Sequence, residues 1–240
     1  MKIIENLRIN LDKIKYPNEI KSIASLHKYS DGEGFFPGFS GKFEKDNNNE
    51  NYKILVLGQD LDKVNNFVES SKTGHEKGNS TFNNLKILLE SANIDLSSCF
   101  LSNILMGVRN TPKNSGESPG LQSIDYIKSC LDYLEFQIET LKPRSIITLG
   151  KIPFKLLTLY DHKLHQKLNL ADNLKTIDKF TNGIIQDFRF KRNPDLKINL
   201  VFLTHPSRYH ANIRHRNNDK INGKELELNN LKKLAKTEKR

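Results

Sequence analysis

Residues 53–58 read Lys-Ile-Leu-Val-Leu-Gly (KILVLG), and this short run decides the fold. A half-exposed strand alternates apolar with polar side chains, whereas a run that is apolar almost throughout suits a strand covered on both faces. Three further runs follow it: 99–105 (CFLSNIL), 145–150 (SIITLG) and 198–204 (INLVFLT). Helical patterns fall between and after them. Residues 81–92 carry Phe82, Leu85, Leu88 and Leu89 at helical spacing. In residues 121–141, Leu121, Ile124, Ile127, Leu131, Leu134, Ile138 and Leu141 form one stripe, with Ser123 near the start and Lys142-Pro143 at the end. Residues 152–160 read as a helix that tolerates Pro153 in its first turn. Leu228, Leu231, Leu234 and Ala235 give residues 222–237 one apolar face. Strands alternating with helices predict an α/β fold, a three-layer α/β/α sandwich around a mainly parallel four-stranded sheet.

The segments around this rhythm are less regular. Residues 1–27 read as one or two helices of mixed charge, and 31–43 (DGEGFFPGFSGKF) as an irregular stretch whose four Phe must be buried. Residues 45–51 (KDNNNEN) are a polar loop. Residues 1–50 are thus expected to be an extension packed on an α/β domain spanning 51–240. Residues 161–197 are polar, basic and poorly periodic, and read as an insertion holding a short helix or a hairpin.

A chain of 240 residues is long enough for one sizeable core. Its formal charge of +10 favours polyanions as partners, nucleic acid first among them. Two cysteines, Cys99 and Cys130, cannot build a four-cysteine zinc or iron–sulfur site. One disulfide could form, but buried thiols in a reducing cytosol fit their positions better. Residues 1–11 are interrupted by Glu5, Arg8 and Asn10 and so lack the apolar run of a signal peptide. With no long apolar stretch either, a cytoplasmic protein without a membrane partner is expected.

Ligands of an open parallel sheet bind beyond the carboxyl ends of its strands. The residues just after, or late in, the apolar runs are Gly58-Gln59-Asp60, Asn103, Gly150 and His205-Pro206-Ser207. A carboxylate, an amide and an imidazole therefore meet on one rim from three strands. Taken singly, Asp is an ordinary turn residue and His-Pro an ordinary strand end. Asn103 is harder to explain structurally, because a buried amide inside a strand needs partners. His205, His210 and His215 recur every five residues, about 140° apart on a helix, and do not converge on a metal.

The same residues carry a family resemblance. Gly58-Gln59-Asp60 resembles the Gly-Gln-Asp-Pro-Tyr motif of family 1 uracil-DNA glycosylases, and His205-Pro206-Ser207 their His-Pro-Ser motif. Residues 100–105 with Val108-Arg109 resemble that family's Leu-Leu-Asn strand and Thr-Val-Arg sequence. Residues 141–150 resemble the superfamily's third strand. The likeness runs in order over residues 53–216.

The resemblance implies a monomeric enzyme that hydrolyses the N-glycosidic bond of uracil, or another altered base, flipped out of DNA, in base-excision repair. It needs no cofactor and no metal. Asp60 would stabilise the sugar cation and orient water, while His205 would donate a hydrogen bond to the departing base. Asn103 would read the pyrimidine edge, with Gln59 and Phe82 also at the base. Ser207, Arg208, Tyr209, Arg214 and Arg216 would contact DNA, with His215 beside them. The chain departs from the family in three places. Leu61-Asp62 stands where the family has Pro-Tyr, whose Tyr blocks the methyl group of thymine; this puts rejection of 5-substituted bases in question and sets a second carboxylate near the site. The stacking aromatic is unassigned among Phe67, His75 and Phe82. The family's Leu wedge after His-Pro-Ser is replaced by Arg208-Tyr209, either of which could fill the gap left by a flipped base. Two other readings stay open: a binding protein on this fold that has lost catalysis, and an unrelated doubly wound enzyme. The second lacks a Gly-rich phosphate loop.

Overall fold

A computed structural model describes residues 3–26, 33–38, 52–73, 78–111, 116–160, 164–166, 174–190, 192–216 and 221–238. Its centre is a five-stranded sheet of β2 (Ile54–Gly58), β3 (Cys99–Asn103), β5 (Ser145–Leu149), β6 (Ile184–Phe190) and β7 (Asn193–Leu203), in the order β3-β2-β5-β7-β6. The first four in that order are mutually parallel, as the apolar runs predict, and β6 lies antiparallel to β7 at the edge. A further pair, β1 (Ile20–Lys21) with β4 (Val108–Arg109), lies outside this sheet.

Side chains alternate across the sheet and fill two cores. Leu55, Leu57, Phe100, Ile146, Ile198 and Leu200 face one layer, where Leu134 and Ile138 of α4 (Ile124–Leu141) meet Leu7 of α1 (Ile3–Ile9). Ile54, Val56, Leu101, Ile147, Val201 and Leu203 face the other. There they meet Phe67 of α2 (Val64–Thr73), Leu85 and Leu89 of α3 (Ser80–Ser91), and Leu231 and Leu234 of the C-terminal helix. That alternation makes the strands apolar throughout, and it makes the molecule a three-layer sandwich. The helix ends are chemically marked. Asn79 caps α3 by accepting from Thr81 and Phe82 N–H. Ser123 caps α4, so Leu121 falls in a preceding 3-10 turn rather than in the helix. Lys142 closes α4 in the left-handed conformation (φ 48°) ahead of Pro143.

The fifth strand corrects the expected four. Residues 161–197 are not a simple appendage: they supply a helix, α6 (Leu174–Thr181), after α5 (Lys151–Leu157), then β6 and the first five residues of β7. The β6 sequence IIQDFRF hides as a strand because it is an edge. Gln186, Asp187 and Arg189 are exposed, Asp187 has a positive φ of 53°, and the ladder slips between Ile185 and Phe188. Cys99 and Cys130 are buried thiols. The chain ends its described part with a one-turn helix, α7 (Tyr209–Asn212), and with α8 (Gly223–Glu238).

Candidate active site

Register places the rim. Gly58 is the Cα partner of Asn103, and Leu149 of Leu203, so the loops leaving β2, β3, β5 and β7 open side by side. They enclose an open cleft of about 890 Å³ whose lining includes Phe35, Asp60, Asn103, His205, Ser207 and Arg208.

Asp60 follows the end of β2, and its side chain is only 6% exposed. Both carboxylate oxygens accept from Arg109, Oδ2 from Nε at 2.7 Å and Oδ1 from Nη2 at 3.0 Å. Arg109 Nη2 also donates to the Gly116 carbonyl at 3.0 Å. With the Gln59 amide turned to satisfy its neighbours, its oxygen accepts from Ser118 N–H at 2.8 Å and from Arg109 Nη2 at 3.1 Å. Gln59 therefore lines the cleft while holding its wall. Asp62, the second carboxylate, is engaged just ahead of α2. At φ 62° its Oδ1 accepts from Lys63 N–H at 2.8 Å and its Oδ2 from Asn66 Nδ2 at 2.6 Å. Leu61 turns into the core.

Asn103 is buried, and its Nδ2 has no hydrogen-bond partner among the described residues. Gly58 makes room for it, because a Cβ at Gly58 would strike Asn103 Oδ1. The same Cβ would lie 3.4 Å from Cε1 of Phe35, so ring and amide crowd one spot at the cleft wall. Phe35 is held there by its neighbour, since Phe36 N–H donates to the Leu101 carbonyl of β3 at 2.8 Å.

His205 is half-buried and stands over Gly150, whose φ of 85° disfavours a side chain; a Cβ there would come within 3.3 Å of His205 Cβ. Burial lowers its pKa below the ordinary value. The Asp60 carboxylate acts in the opposite sense, and Arg208 adds to the fall. The ring is therefore neutral at pH 7. Its Nδ1 accepts from Ser207 N–H at 3.3 Å and lies 2.8 Å from Ser207 Oγ. A backbone N–H only donates, so the imidazole proton sits on Nε2. Asn84 of α3 fixes this turn by donating to the Pro206 carbonyl at 2.8 Å.

Several expected contacts lie elsewhere. Phe82 packs with Leu85 and Leu89 in the core and does not line the cleft; its helical spacing signalled burial, not a base. Phe67 is also in that core, although its edge reaches the cleft. His75 lies outside the described residues. Tyr209 is 8% exposed and does not line the cleft. Arg216 is fully buried and cannot reach a phosphate. It pairs with Asp178 at 2.6 Å and with Glu227 at 2.6 Å, and its guanidinium lies 4.6 Å from the centre of the Phe202 ring. Ser207, Arg208 and Arg214 are exposed, and the first two line the cleft with His215. Sequence reasoning missed Phe35. An aromatic between Gly and Pro, outside any periodic element, was the available signal.

The family model described as the Uracil DNA glycosylase superfamily matches residues 46–224, most of the chain. No curated protein matches it.

Proposed function

Because the chain belongs to the uracil DNA glycosylase superfamily, whose members are in general DNA glycosylases acting on DNA, we propose that it is a monofunctional glycosylase releasing uracil or another altered base by hydrolysis. The substrate base is flipped out of DNA into the cleft. The observation that carries this reading is Asn103: a buried amide donor without a partner among the described residues, on the rim that also bears Asp60 and His205. Such a group is costly unless a ligand completes it.

In this mechanism the base lies against the Phe35 ring, and Asn103 pairs with its O4 and N3–H edge. As the glycosidic bond stretches, the Asp60 carboxylate faces the positive charge growing on the sugar and orients the attacking water. His205 Nε2–H donates to the base oxygen that gathers negative charge, and a neutral donor suffices there. With Leu61 in the core and Asp62 bonded to Lys63 and Asn66, no Tyr follows Asp60 to screen position 5. We therefore expect bases with a 5-substituent among the substrates.

A second reading, a base-recognising protein that does not hydrolyse, rests on the engagement of both Asp60 oxygens by Arg109. One experiment separates the two. Oligonucleotides carrying single uracil, 5-hydroxymethyluracil, hypoxanthine or a thymine mispair are incubated with wild type and Asp60→Asn, then cleaved with alkali at abasic sites. The glycosylase reading expects strand breaks with wild type. Asp60→Asn should lose more than about tenfold in rate, at least about 1.4 kcal/mol of transition-state stabilisation, with DNA affinity kept. Binding without breaks on every base would favour the second reading.

A further inference from the structure

We propose that Arg109 is a positioning residue for hydrolysis, clamping Asp60 so that the carboxylate acts as an oriented, immobile anion; the proposal rests on the glycosylase reading above. The two form a side-on fork, Nε to Oδ2 at 2.7 Å and Nη2 to Oδ1 at 3.0 Å. A planar guanidinium meeting a carboxylate in this way fixes the carboxylate plane, which an Asp side chain alone leaves broad. One lone pair on each oxygen is used, and one remains on each for water or for the sugar cation.

Arg109 can serve as a clamp because it is held from several sides. Its backbone N–H donates to the Asp62 carbonyl at 2.7 Å, and its strand β4 pairs with β1. Its Nη2 reaches the Gly116 carbonyl and the Gln59 amide oxygen. The side chain is 7% exposed, and both members of the pair line the cleft. An ion pair placed only for folding has no need to end at the rim where the base must sit. The guanidinium also sets a limit on the chemistry. With one lone pair of each oxygen engaged by the guanidinium, Asp60 acts by charge and orientation.

The test is a single-turnover double-mutant cycle on a uracil oligonucleotide, with wild type, Arg109→Gln, Asp60→Asn and the pair. Misplacement of a catalytic group by an ångström costs on the order of 10²-fold, so Arg109→Gln should lose roughly that in the chemical rate. Its Kd for DNA bearing a non-hydrolysable uracil analogue should stay within about threefold of wild type, a split that a merely structural role would not produce. In the Asp60→Asn background, Arg109→Gln should cost nothing further. Arg109→Lys keeps the charge but not the fork, and should fall between Gln and wild type. Guanidinium ion added to Arg109→Ala should restore part of the rate, whereas the same concentration of sodium chloride should not. Wild-type rate in Arg109→Gln, or losses that multiply across the cycle, would overturn the proposal while leaving the glycosylase reading intact. Wild type inactive on every base would overturn that reading, and the clamp with it.

Discussion

At Asn103 the two ends of one side chain meet different surroundings. Oδ1 lies against Gly58, where only glycine leaves room, while the buried Nδ2 is left without a partner among the described residues. An unpaired buried donor costs about 1–3 kcal/mol, a cost that a base oxygen can offset on binding. Replacing Asn103 by Asp presents acceptors only, or one donor if the carboxyl group is protonated. Uracil excision should fall roughly 10²-fold or more, and weak action on cytosine, whose amino group donates, is expected in exchange. Single-turnover rates on the two bases check this, and equal uracil excision by variant and wild type would remove the reading role. Asn103, Asp60 and His205 were legible in the sequence because each ends an apolar run, and strand ends gather at one rim. Phe35 was not, since it precedes the sheet in the chain and is brought to the rim by the contact of Phe36 with β3. The charge of Arg216 was visible, but its partners Asp178 and Glu227 are distant in sequence and a charge alone does not reveal burial.

The first of these, Asp178, makes residues 161–197 a support for the His205 turn, together with Glu227 from α8. Asp178 lies on α6 and accepts from Arg216 Nε and Nη2, while Glu227 on α8 accepts from Arg216 Nη1 and from Thr204 N–H at 2.6 Å. Arg216 Nη1 also donates to the Phe202 carbonyl of β7. One guanidinium thus joins α6, α8 and the end of the strand that carries His205. Removing it should leave two carboxylates buried without their cation, which costs about 3–5 kcal/mol. Arg216→Met is expected to show that loss in urea melts. A triple variant with Asp178→Leu and Glu227→Met should recover much of it, because apolar residues need no partner. A single variant within about 1 kcal/mol of wild type would mean that the cluster contributes little to stability. The helix–strand rhythm that predicted this layer was plain wherever both faces of a strand are covered. It failed at β6, where one face meets water and the polar residues of an edge look like a loop.

At the scale of the whole molecule the open question is how a surface of formal charge +10 meets DNA. Nearby cations raise the local concentration of a polyanion, but only those touching phosphates displace condensed counterions and so steepen the salt dependence of binding. With Arg216 inside, the exposed arginines after His205 among the described residues are Arg208, which lines the cleft, and Arg214 in the turn that follows α7. Ser207 and Arg208 lie in the turn that His205 caps (Pro206–Arg208), so phosphates seated here would flank the nucleotide whose base enters the cleft. Each phosphate contact contributes a slope of about −0.9 to log affinity against log salt on duplex DNA. The double replacement Arg208→Ala/Arg214→Ala should therefore flatten the slope by about 1.8, and should weaken binding to lesion and intact duplexes alike, because phosphates carry no base identity. Fluorescence anisotropy over a salt series measures both effects. Arg216→Met, in contrast, should leave the slope unchanged under conditions where it stays folded. A double variant with the wild-type slope would assign Arg208 and Arg214 to solvated surface charge. The DNA track would then have to be sought among the lysines elsewhere on the molecule.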